Sequence, residues 1–318
     1  MSGRKSRSDR QSRDERKNMK NLKRFGPVFI IIAALLWSFD GLLRRSLYAL
    51  PPAIVVFWEH LLGALILSPF IIKNLKEIKL LTKKEWLAIA VVSLFSGALG
   101  TIFYTAALGK VNYIQFSVVV LLQQLQPIWA ISMAALLLKE KISKKFIFWA
   151  VLAIIASYFV TFKDLRINLA TGSGTVIAAL LAISAGMMWG SSTSFSKIVL
   201  RKVSYKIATI LRFVLAPLFT LPIIFALHQT NTLINLSSVQ WTTLLTITLS
   251  TGLVALLIYY YGLKHTQVKV SAICELVWPA SAIFIDYFYF KQFLSATQII
   301  GVAIVLFSIF KVSAMNKK

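Results

Sequence analysis

Ten apolar stretches, each long enough to cross a bilayer, lie between residues 26 and 310, and the last five repeat the first five at a fixed offset. Moving 152 residues along carries Trp37 onto Trp189, Gly100 onto Gly252, Pro127 onto Pro279, Lys139 onto Lys291 and Ser143 onto Ser295. Tryptophan is rare, and glycine and proline set backbone geometry, so agreement at one offset marks a duplication. A membrane helix needs about 20 apolar residues to span about 30 Å of hydrocarbon. The stretches are 26–43, 53–72, 86–108, 113–138, 146–162, 174–196, 207–227, 241–263, 270–290 and 294–310. None alternates polar and apolar residues, as a barrel strand must. The expected fold is an all-α polytopic membrane protein of ten transmembrane helices. Because five is odd, the two five-helix repeats must cross in opposite senses, the inverted arrangement found around midplane binding sites.

The chain is 58% hydrophobic with a mean hydropathy of +0.74 and only 14% charged residues, whereas soluble domains carry about 25%. A net charge of +24 could suggest nucleic acid as a partner. The placement of the charges argues against it. With the amino terminus inside, 28 Lys and Arg fall on the cytoplasmic side and only six (Arg44, Arg45, Lys110, Lys163, Arg166, Lys291) in outer loops. That bias puts both termini in the cytoplasm of a multi-pass cell-membrane protein. Residues 1–24 form a basic, Ser-rich cytoplasmic tail suited to anionic headgroups. The first repeat is expected over 25–162, a linker over 163–173, the second repeat over 174–312 and a short cytoplasmic tail over 313–318. The lone Cys274 excludes an intramolecular disulfide and a cysteine metal cluster. No cofactor signature is present.

Polar residues inside the spans are few, and each is costly in lipid unless it faces a cavity or a partner. Asp40, Glu59, His60, Arg212, Glu275 and Asp286 are the ionisable ones. The repeat pairs His60 with Arg212 and Gln123 with Glu275, so an outer and an inner polar cluster are expected. Asp40 has a local partner in Arg44 at i,i+4. Arg212 and Glu275 lie at similar depth and read either as a buried structural ion pair or as a gate. Asp286 reads as interfacial. In the fourth span Gln123, Gln124 and Gln126 precede Pro127, and in the ninth Glu275 and Trp278 precede Pro279. Proline frees a backbone carbonyl one turn earlier, so both helices are expected to kink and to wall a substrate cavity with Trp37 and Trp189. The amides could equally knit helices together. Ser93, Ser96, Gly97 and Gly100, with Thr248, Thr251 and Gly252, read as close-packing residues. Phe103, Tyr104, Tyr259, Tyr260 and Tyr261 read as interface-belt aromatics.

Several elements resemble the EamA-like branch of the drug/metabolite transporter superfamily. Trp37-Ser38-Phe39 and Trp189-Gly190-Ser191-Ser192 resemble its Trp-Gly-small signature at the start of each half. Gln126-Pro127-Ile128, then Leu138-Lys139-Glu140-Lys141, resemble its Pro-Val and Leu-Gly-Glu-Arg elements, echoed by Trp278-Pro279-Ala280 and Lys291-Gln292. The chain departs at Ser38, Asp40 and Gln292. The resemblance implies a cavity lined by helices such as one, three, four, six, eight and nine, and transport of small metabolites, amino acids or drugs.

The expected function is therefore secondary transport of a small solute by alternating access, without enzymatic chemistry. Its partners would be a small-molecule substrate, the lipid bilayer and a coupling ion or exchanged solute. No Gly-x-x-x-x-Gly-Lys-Ser/Thr loop is present to bind ATP. A channel or a membrane-embedded sensor is the alternative. A membrane enzyme is disfavoured because His60, His228 and His265 sit on separate elements.

Overall fold

The structure, a computed structural model, describes residues 25–110, 122–123, 125–161, 174–281, 288 and 295–317. All regular structure among them is helical. In chain order the main helices are α1 (25–37, continued by Asp40–Arg44), α2 (Pro52–Lys73), α3 (Lys83–Leu108), α4 (Gln126–Leu138) and α5 (Lys144–Thr161). The second half supplies α6 (Gly174–Leu200), α7 (Tyr205–Ala226), α8 (Ser238–His265), α9 (Val268–Cys274, resuming over 277–281) and α10 (Ala296–Ala314). Seven of these, α1 to α3, α6 to α8 and α10, are long and apolar enough to cross a membrane. The molecule is inside out relative to a soluble domain. Leu65, Phe70, Leu136, Phe148, Leu180, Leu218 and Phe310 face outward, while Asp40, Arg44, Glu59 and His60 are buried. Hydrocarbon is the solvent that makes such an outer surface favourable.

Sequence punctuation sets the helix starts, and the duplication copies it. Ser143 Oγ accepts from Phe146 N at 3.2 Å ahead of α5, and its repeat equivalent Ser295 opens α10 in a capping box with Gln298. Thr82 with Glu85 opens α3, and Ser237 with Gln240 opens α8, in the same reciprocal arrangement. Packing follows the repeat too. α5 lies against α10, α2 against α7 and α4 against α9, each with its own counterpart. The contact of α3 with α7 is matched by that of α8 with α2.

Two local irregularities shape the interior. Helices α3 and α8 each widen into a π-helical stretch, Ser93–Leu99 and Thr248–Gly252, so that Gly100 N donates to Phe95 O and Leu253 N to Thr248 O, five residues back. Such turns leave carbonyls open to other donors. Ser96 O accepts from Thr101 Oγ1 at 2.9 Å and from Arg212 Nη2 at 3.2 Å, while Thr251 O accepts from Trp37 Nε1 at 3.0 Å. The second irregularity is a break just before Pro127 and another before its equivalent Pro279, whereas Pro69, Pro217 and Pro222 sit inside unbroken helices. Leu125 interrupts the helix ahead of α4, and Glu275–Leu276 interrupts α9. Ile128 N and Trp278 N bond only three residues back, to Leu125 O and Glu275 O. Pro127 and Pro279 fall in the first turn after each break, where a missing N–H leaves no bond unmade.

Candidate functional site

Eight helices, α1 to α4 and α6 to α9, enclose a cavity, with Gln123 joining the wall ahead of α4. The centre of a water molecule can move through about 160 Å³ of it, room for on the order of ten waters. Helices α5 and α10 pack on each other and supply no described residue to the wall. Gly190 is what lets α6 press against α4 here. A Cβ at that position would stand 2.5 Å from Gln126 O and 3.0 Å from Trp129 Cβ.

One side of the wall is an ionic cluster. Arg44 Nε donates to Asp40 Oδ2 at 2.5 Å, and Arg44 Nη2 to Glu59 Oε2 at 2.7 Å. Thr251 Oγ1 donates to the second Asp40 oxygen at 2.6 Å, tying α1 to the π-helical stretch of α8. Three ionised groups this buried are tolerable only because each is paired and hydrogen-bonded. By sequence Arg44 is an outer-loop cation. It is 2% exposed, because α2 brings Glu59 to it.

The opposite side is built on Glu275. At the break in α9 its carboxylate accepts from Gln126 Nε2 at 2.7 Å, Tyr259 Oη at 2.8 Å and Ser271 Oγ at 3.0 Å. Helices α4, α8 and α9 therefore meet at one acceptor. The expected Arg212–Glu275 pair is not formed. At the break in α9 Glu275 meets Tyr259 of α8, while Arg212 reaches Ser96 O on α3. Among the described residues Arg212 makes no salt bridge. Arg212 and its repeat equivalent His60 both lie against Gly97, whose Cβ would be 3.6 Å from His60 Nε2 and 3.7 Å from Arg212 Cγ.

Aromatic rings complete the wall. Trp37 of α1 packs on Tyr259 of α8 with ring centroids 5.0 Å apart, and Trp189 of α6 packs on Tyr104 of α3 at 5.2 Å. These are helix pairs equivalent under the repeat. Gly100 makes the second possible, since a Cβ there would lie 2.8 Å from the Trp189 indole.

Of the residues singled out from sequence, Trp37, Asp40, Glu59, His60, Gln123, Gln126, Trp189, Arg212, Glu275 and Trp278 all line this one cavity. The outer and inner clusters are two faces of a shared space. Gln124 and Asp286 lie outside the described residues. Sequence reading misassigned Tyr104, Tyr259 and Tyr260, which are buried and face the cavity instead of an interface belt. It also missed Thr193 and Ser196 of α6, and read Ser192 only as part of the Trp-Gly-small signature, although their spacing puts all three on one helix face. Both α2 and α7 contribute to the wall, in addition to the six helices expected.

The EamA-like transporter family matches twice, over residues 24–162 and 176–314. The chain belongs to that family. It is 35% identical over 293 residues, 92% of this chain and 98% of the relative, to the riboflavin transporter ImpX of Fusobacterium nucleatum subsp. nucleatum (strain ATCC 23726 / VPI 4351). A solved crystal structure shares the fold with a TM-score of 0.71 at 16% identity, covering 91% of this chain and 98% of its own. The double match accounts for the 152-residue offset, and the architecture is the two-repeat one of this family. This EamA-like protein is a multi-pass membrane transporter for a small molecule, and not an enzyme.

Proposed function

We propose that the protein is a secondary transporter of a planar aromatic heterocycle of the riboflavin kind. Two inverted five-helix repeats, 25–162 and 174–312, make ten crossings of the cell membrane, with both termini cytoplasmic, and rock about the Gln126–Glu275 level to expose the cavity to each side in turn. The observation that carries this reading is the cavity wall. Two tryptophan–tyrosine pairs, one from each repeat-equivalent helix pair, line it, an aromatic lining suited to a flat ligand. The same wall carries Glu59, which gives one carboxylate oxygen to Arg44 and leaves the other as an acceptor suited to a hydroxyl group. A relative named as a riboflavin transporter, alike over nearly its whole length, supports the choice of heterocycle.

The experiment is uptake of labelled riboflavin by proteoliposomes containing the purified protein, against panels of amino acids and cationic drugs. Saturable riboflavin uptake, accelerated by unlabelled riboflavin trapped inside, is the expected result. Uptake of another class with none of riboflavin would refute the substrate. Uptake indifferent to solute on the far side would refute alternating access.

A further inference from the structure

Gln123 is 3% exposed, and neither its side-chain Oε1 nor its Nε2 has a hydrogen-bond partner among the described residues. The contrast with its surroundings is sharp. Gln126, one turn on, is held by Glu275 at 2.7 Å. Glu275 itself, the repeat equivalent of Gln123, accepts from three donors. Buried amides are almost always paired, and one left bare on a cavity wall calls for a ligand group. Gln123 also sits beside an aromatic surface. Gly186 of α6 lies against its backbone, a Cβ there being 3.3 Å from Gln123 O, and Trp189 is one helical turn further on. Leu122 packs in the same cluster as Tyr104 and Trp189.

We infer that Gln123 is a specificity-determining residue, whose side-chain amide pairs edge to edge with the adjacent N–H and C=O of a cyclic imide on the ring stacked beside Trp189. A primary amide carries a carbonyl acceptor and N–H donors in one plane. An imide ring offers N–H flanked by C=O, so two parallel hydrogen bonds form, the geometry by which glutamine reads adenine. The pyrimidine edge of a flavin is such an imide, and the inference rests on the riboflavin-like reading given above.

The test is a cycle of two ligands and three proteins, with dissociation constants from quenching of flavin fluorescence in detergent. The ligands are riboflavin and riboflavin methylated on the imide nitrogen. The proteins are the wild type, Gln123→Met, which is isosteric and apolar, and Gln123→Glu, which keeps an acceptor and loses the donors. Wild type is expected to bind the methylated ligand about tenfold or more weakly. Gln123→Met is expected to bind riboflavin about tenfold more weakly, with no further penalty for methylation, and Gln123→Glu to fall below wild type on riboflavin. A methylation penalty that persists undiminished in Gln123→Met overturns the inference and leaves the flavin reading standing. So does the absence of any penalty in wild type, which needs no variant to fold. Failure of wild type to bind either flavin overturns the flavin reading and the inference with it.

Discussion

Replacing Arg44 by glutamine removes the only cation from the Asp40–Arg44–Glu59 cluster and leaves two buried carboxylates without their partner. At 2.5 and 2.7 Å each ion pair has a gross Coulomb energy of ~6 kcal/mol at an effective dielectric of about 20. Desolvation of three groups offsets most of that, so the attraction is not the stability gained. The quantity that survives is the cost of leaving buried charge uncompensated, about 3–5 kcal/mol when one partner is removed. Arg44→Gln strands two carboxylates, which favours the upper end. At about 2 °C per kcal/mol for a chain of this size, the apparent melting point should drop by about 6–10 °C. The assay is thermal melting in detergent, read as the fraction surviving gel filtration. The diagnostic companion is Asp40→Asn, Arg44→Gln and Glu59→Gln combined, which removes every charge and should recover most of the loss. If Arg44→Gln melts within about 1 °C of wild type, or the neutral triple is no better than the single variant, the cluster is not the buried, mutually compensated network described.

Gly100→Val should disable the cavity wall, since its Cβ would meet both the Trp189 indole and Phe95 O at 2.8 Å. Overpacking of about 1–3 kcal/mol and loss of riboflavin uptake are expected, whereas Gly109→Ala, with its nearest contact at 3.5 Å, should leave melting and uptake at wild-type levels. Glu140 accepts from Val268 N at 2.9 Å and Lys269 N at 3.1 Å, capping the start of α9 from the far end of α4. Glu140→Ala should cost about 1 kcal/mol, as other helix-cap losses do, and Glu140→Gln less, because one acceptor remains; unchanged melting of Glu140→Ala would show that the cap contributes nothing.

What could be read from the chain followed from the expense of polar groups in lipid. Asp40, Glu59, His60, Arg212 and Glu275 had to face inward, and they do so around one cavity. The duplication added which positions correspond, and with them the paired breaks before Pro127 and Pro279. Sequence fails where the direction of a side chain around its helix decides its role. Tyr259, Tyr260 and Tyr261 are successive residues, about 100° apart around α8. The first two turn into the cavity, while Tyr261 packs on Phe29 and Tyr205. Nothing local tells these apart from belt residues. The π-helical stretches add a second uncertainty. Each lets its helix slip in phase, so Ser96 and Thr251, read as packing residues, instead present open carbonyls to Arg212 and Trp37. Arg212 was thereby drawn to α3, and the acceptor predicted for it went to Tyr259, Ser271 and Gln126. Equivalent positions in a duplicated chain share a place on the wall without sharing a partner. At position 275 the acceptor is closed by three donors, while at 123 the amide stays bare. An ancestral symmetric site in which one half became framework and the other became the reader of the ligand has this form, and the fluorescence cycle on Gln123 decides whether that division was made.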